Sequence, residues 1–90
     1  MKYLHLNLKG EYYDKIVCGQ KLREFRLYND YWKKRLLDRA YDGILIKRGY
    51  PKKDDMTKIT ERPWRGFEIA AIQHKEFGPD PVKVFAILVN

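Results

Sequence analysis

Gly19-Gln20-Lys21-Leu22-Arg23-Glu24-Phe25-Arg26 is the stretch around which this chain of 90 residues is organised. On its N-terminal side, residues 11–18 read as a short helix, with Tyr12, Tyr13, Ile16 and Val17 at helical spacing. Glu11 and Asp14 lie in the early turns of that helix, where its dipole favours acids. Gly19 fits the position just past the helix end, where a positive φ is common and glycine adopts it at little cost. From there the period changes from helical to two. Leu22, Glu24, Arg26 and Tyr28 fall on one face of a strand over 22–28, and Arg23, Phe25 and Leu27 on the other.

The flanking segments extend this corner into a fold. Tyr3–Leu8 alternates, with Leu4, Leu6 and Leu8 on one face, and reads as a half-buried strand before a turn at Lys9-Gly10. Asn29 or Asp30 can cap a second helix over 31–39, which carries Tyr31, Trp32, Leu36 and Leu37 and presents Lys33, Lys34, Arg35 and Arg39 outward. Residues 41–47 form a third strand around Ile44, Leu45 and Ile46. Residues 48–65 hold no period and include Gly49, Pro51 and Pro63, so they read as a long loop, a feature that is usually functional or disordered in a small domain. Strands over 67–74 and 82–89 follow, separated by a turn at 77–81; the last is apolar on both faces apart from Lys83, which places it centrally. About five strands and two short helices predict an α+β domain, built as a small, mostly β barrel over residues 1–90.

The formal net charge of +7 favours a polyanionic partner and opposes self-association, so a monomer is expected. The charge is grouped: residues 21–39 hold seven Lys/Arg against three acids, and residues 47–65 repeat that ratio. With one cysteine, Cys18, no intrachain disulfide can form, and a reducing, cytoplasmic setting is expected. No apolar run approaches the length of a membrane span, and no signal-peptide pattern is present. The chain has no serine, its threonines are Thr57 and Thr60, and its histidines are His5 and His74; this set offers neither a serine triad nor a zinc site. No glycine-rich phosphate loop occurs either, and no cofactor is expected.

The pattern G-x-K-x-x-E-x-R, met here as Gly19, Lys21, Glu24 and Arg26, resembles the motif of the ASCH family, a branch of the PUA-like β-barrels. The short helix before it, the Tyr-Trp-rich helix after it and Tyr-Asp-Gly-Ile-Leu-Ile-Lys at 41–47 extend the likeness over essentially the whole chain. The resemblance implies a PUA-like barrel with a cleft beside the motif and a role linked to RNA. It also implies possible hydrolytic relatives, both ribonucleases and small amidohydrolases of acetylated cytidine. In those amidohydrolases a threonine stands where this chain has Glu24, and the motif lysine, matched here by Lys21, assists it.

The residues themselves leave alternatives open. Glu24 and Arg26 lie about 6.5–7 Å apart on one strand face and can pair. Arg26 offers a planar fork for phosphate or a base edge, and Lys21 a mobile charge that could act as a base or stabiliser. The trio is either a structural ion pair at a helix–strand corner or a binding or catalytic site. A second cluster, Lys47, Arg48, Tyr50, Lys52, Lys53, Arg62, Trp64 and Arg65, interleaves cations with rings as single-stranded nucleic acid requires; it also reads as a solvated loop with Trp64 tucked onto the barrel. Three functions follow: an RNA-binding module whose partner is single-stranded nucleic acid or a nucleotide, a small hydrolase using Lys21, and a protein-interaction module. A sealed corner at Lys21 and Arg26 would favour the last.

Overall fold

The leucines of the first strand pack as their alternation requires. In β1 (Tyr3–Leu8), Leu4, Leu6 and Leu8 are buried and His5 is exposed. The computed structural model describes residues 1–52 and 55–90, so Lys53 of the second cluster lies outside the described residues. Helix α1 (Gly10–Val17) follows, burying Tyr13 and Ile16. The corner then leads into β2 (Arg23–Leu27). Gly19 adopts φ +85°, as the helix end demands.

Helix α2 (Asp30–Leu36) is capped by Asn29, whose side chain accepts from Trp32 N at 3.0 Å. It ends three residues before the expected 39: Leu37 turns extended and Asp38 takes φ +55°, which breaks the helical ladder. Strand β3 (Gly43–Arg48), β4 (Ile59–Arg62), β5 (Phe67–Ile72) and β6 (Val82–Leu88) complete the chain, with single 3-10 turns at Met56–Lys58 and Lys75–Phe77.

There are thus six strands where five were expected, because β4 emerges from within the long loop. Its inward residues are polar, so the usual alternation signal is missing. Thr60 pairs with Ile46 in the register and its hydroxyl meets Tyr13 Oη at 2.7 Å; Arg62 pairs with Ile44 and donates to Asn90 Oδ1 at 3.1 Å. Asn90 in turn donates to the carbonyls of Ile16 and Lys21, both at 2.7 Å, tying the C-terminal strand to both ends of the corner.

The strands form two three-stranded sheets, in the orders β1-β3-β4 and β2-β6-β5, and among the described residues no ladder closes them into one ring. β1 and β3 are parallel; the other pairs are antiparallel. The inner faces of both sheets meet in one core that includes Leu6, Ile46, Phe85 and Ile87, with Tyr13, Ile16 and Leu36 contributed by the helices. Each fully buried side chain of this size contributes about 1.5–3 kcal/mol. As expected, β6 is central and buried on both faces through Val84, Phe85, Ala86 and Ile87. The strands left at the sheet margins on one side of the molecule are β1 and β2. No helix among the described residues is long and apolar enough to cross a membrane.

Candidate functional site

Strand β2 places Glu24 and Arg26 inward, while Arg23 pairs with Glu68 at the surface. Glu24 lies opposite Ile87 and Arg26 opposite Phe85 in the β2–β6 register, so both project from the face on which β6 builds the core. On the opposite face, apolar Leu27 is instead exposed. This inversion is the principal departure from the rule that strands bury their apolar face.

Glu24 is 5% exposed. Its two carboxylate oxygens take different cations: Lys21 Nζ lies 3.0 Å from Oε1, and Arg26 Nη1 lies 2.5 Å from Oε2. Arg26 also donates through Nη1 to the Phe25 carbonyl at 2.9 Å and through Nη2 to the Asn7 carbonyl of β1 at 3.2 Å. Aromatic faces enclose both cations. Lys21 Nζ sits 4.5 Å from the centre of the Tyr12 ring and 5.5 Å from that of Phe25; the Arg26 guanidinium carbon is 5.3 Å from the centre of Trp32. A buried carboxylate needs such partners, because unpaired it would lose its hydration without compensation.

The corner is not sealed. A cavity of about 460 Å³ opens beside the trio, between the margins of β1 and β2. Its lining includes Lys21, Glu24 and Arg26 from the corner, His5, Asn7 and Lys9 near β1, and the rings of Tyr12, Phe25, Tyr31, Trp32, Tyr50 and Phe77. The size is that of a pocket for a small organic ligand. Two cations against one carboxylate leave the trio with net positive charge. Since both oxygens of Glu24 are already engaged, the corner presents donors. It therefore suits an acceptor edge, such as a phosphate or a base carbonyl, beside rings on which a planar ligand can stack.

Both histidines border this cavity. The His74 ring lies 6.1 Å from Tyr12 and 5.9 Å from Phe77, centre to centre. Loss of hydration, then the nearby Lys47 charge, hold the His5 imidazole below its ordinary value of 6.5.

The second cluster is not brought together as one surface. Tyr50 is 92% exposed and joins the cavity mouth. Lys47 faces His5 from the neighbouring strand. Arg48 pairs with Asp14 at 3.4 Å, and Arg62 holds Asn90. Trp64 packs edge-on against Tyr41, 5.1 Å between centres at 71°, and joins the margin of the core. Lys52 and Arg65 are exposed outside the cavity lining. Sequence reasoning passed over Tyr12, Trp32 and Phe77 as walls. Tyr13 is buried in the core, whereas Tyr12 is partly buried, packing against the margin of that core while also lining the cavity.

No family model matches the chain, and no curated protein or solved structure matches it.

Proposed function

We propose that this chain is an RNA-binding module of PUA-like design that takes an unpaired nucleotide into the cavity between β1 and β2. The observation that carries the reading is the inward, ion-paired Lys21–Glu24–Arg26 stripe at the floor of an aromatic-walled cavity. A protein gains little stability by placing two charges, Glu24 and Arg26, at core-facing positions of a strand and a third, Lys21, just before it. The arrangement has a use if its spare donors meet an acceptor-rich ligand while the rings stack on a base, the pairing that single-stranded recognition employs. The resemblance of Gly19, Lys21, Glu24 and Arg26 to the ASCH motif points the same way. Lys9, which lines the cavity, supplies charge for the flanking phosphates.

The test is a salt titration of binding to short labelled single-stranded RNAs. Wild type is expected to lose affinity with a logarithmic slope of about −0.7 per contacted phosphate. Arg26→Lys keeps the charge, loses the fork and is expected to bind about tenfold more weakly, the loss of roughly one good charge-assisted bond. Affinity that is absent at low salt, or indifferent to salt, would overturn the reading.

A second reading is a small hydrolase acting on RNA or a modified nucleoside. It is favoured by His5 and His74 bordering the same cavity as Lys21, which puts three proton-carrying groups around one space. With no serine in the chain and no threonine in the cavity lining, water would be the nucleophile. Product formation that persists at full rate in Lys21→Ala would remove Lys21 from that role.

A further inference from the structure

The cavity does not end at Trp32. A second recess of about 280 Å³ adjoins it and shares His5, Asn7, Tyr31 and Trp32 with it. The recess runs between β1 and α2 toward Arg35 and Tyr41. The shared wall is ordered: Arg26 lies over Trp32, Trp32 meets Tyr31 edge-on at 5.1 Å and 75°, and the Arg35 guanidinium lies 3.5 Å from the centre of the Tyr31 ring. A row of two rings with a cation at each end therefore runs from the first compartment into the second. Tyr31 is 54% exposed, so its stack with Arg35 is presented to solvent rather than sealed in the core. Among the described residues no carboxylate lines the second recess, and the one that lines the first is paired twice.

The geometry points to a second nucleotide subsite, built on the Tyr31–Arg35 stack and continuous with the first cavity, so that the ligand is an oligonucleotide rather than a free nucleoside. This rests on the nucleotide-binding reading of the Lys21–Arg26 corner. The chemistry is that of a phosphodiester strand. A base in the first cavity leaves its backbone at Trp32; the exposed Tyr31–Arg35 stack is placed to meet the next nucleotide, the guanidinium edge its phosphate and the guanidinium plane its base. The second recess has cationic and aromatic walls without an acid, which suits a polyanion with planar groups.

The test uses the full chain with Trp64→Phe, so that Trp32, which borders both compartments, reports binding by fluorescence quenching. Titrants are a nucleoside monophosphate, a tetranucleotide of the same base and poly-glutamate. The tetranucleotide is expected to bind about tenfold or more tightly than the monophosphate, as one further stacked base would give. Arg35→Ala should remove that gain while leaving monophosphate affinity unchanged, and Arg35→Lys should restore part of it. A tetranucleotide that binds no tighter than the monophosphate, or a gain untouched by Arg35→Ala, overturns the second subsite and leaves the first cavity standing. No quenching by either nucleotide overturns both readings. Equal competition by poly-glutamate overturns the nucleic-acid assignment in favour of an acidic peptide.

Discussion

Strands β2 and β6 are neighbours in one sheet and share one face, yet they use it in opposite ways. β6 sets Phe85 and Ile87 there, both fully buried. β2 sets Arg26 opposite Phe85 and Glu24 opposite Ile87. Burial of Phe85 and Ile87 stabilises in proportion to the apolar area removed from water. The ionic pair beside them returns little net stability, because the attraction of its charges is offset by the hydration they give up. The difference between the strands separates positions that hold the fold from positions that, on the proposed reading, are kept for a ligand.

That contrast can be broken by substitution. Phe85→Ala is expected to have the largest effect, a loss of about 3–5 kcal/mol in chemical denaturation, since it opens a cavity in the core. Glu24→Ala should follow at about 3 kcal/mol, because it leaves two partly buried cations unpaired. The combined change Lys21→Met, Glu24→Leu, Arg26→Met removes all three charges and is expected to fold within about 1 kcal/mol of wild type while losing RNA binding. If that triple variant were as destabilised as Phe85→Ala, the stripe would be structural. Gly19→Ala should cost about 1–2 kcal/mol through its positive φ alone, as open space surrounds the added methyl.

The smallest effect is a pH dependence. With the His5 value depressed in the folded protein, the unfolded chain takes the proton first as pH falls. Stability is retained above about 6.5 and declines as pH drops from there toward the folded value. Urea midpoints measured from about pH 7 to pH 5 should show this decline, and His5→Gln should flatten it.

What could be read from the sequence follows from how each strand is filled. β1 and α1 were legible because their apolar residues keep the period of the element, and β6 because its near-continuous apolar run marks a strand buried on both faces. For β2 the alternation was legible but its orientation was not, since apolar Phe25 and Leu27 suggest the face that turns out to be outward. β4 was hidden by Thr60 and Arg62, whose inward side chains are satisfied by Tyr13 and Asn90, residues distant in sequence. The motif trio was legible as a cluster, and its meeting around a single carboxylate is what the fold adds. A cleft beside the motif was expected from the resemblance, but its walls were not legible: His5 on β1 and His74 beyond β5 stand far apart in the chain and border one space only in the fold. The same dependence on tertiary closure explains Trp64, which has the chemistry of a stacking platform and is occupied by Tyr41.

Arg26 reaches from β2 to the Asn7 carbonyl, across a gap that no backbone ladder spans. A ladder fixes strands at one spacing, about 4.8 Å. A side chain with several rotatable bonds does not. At this margin β1 and β2 are therefore joined through a side chain, and widening the cavity throat breaks no bond of a backbone ladder.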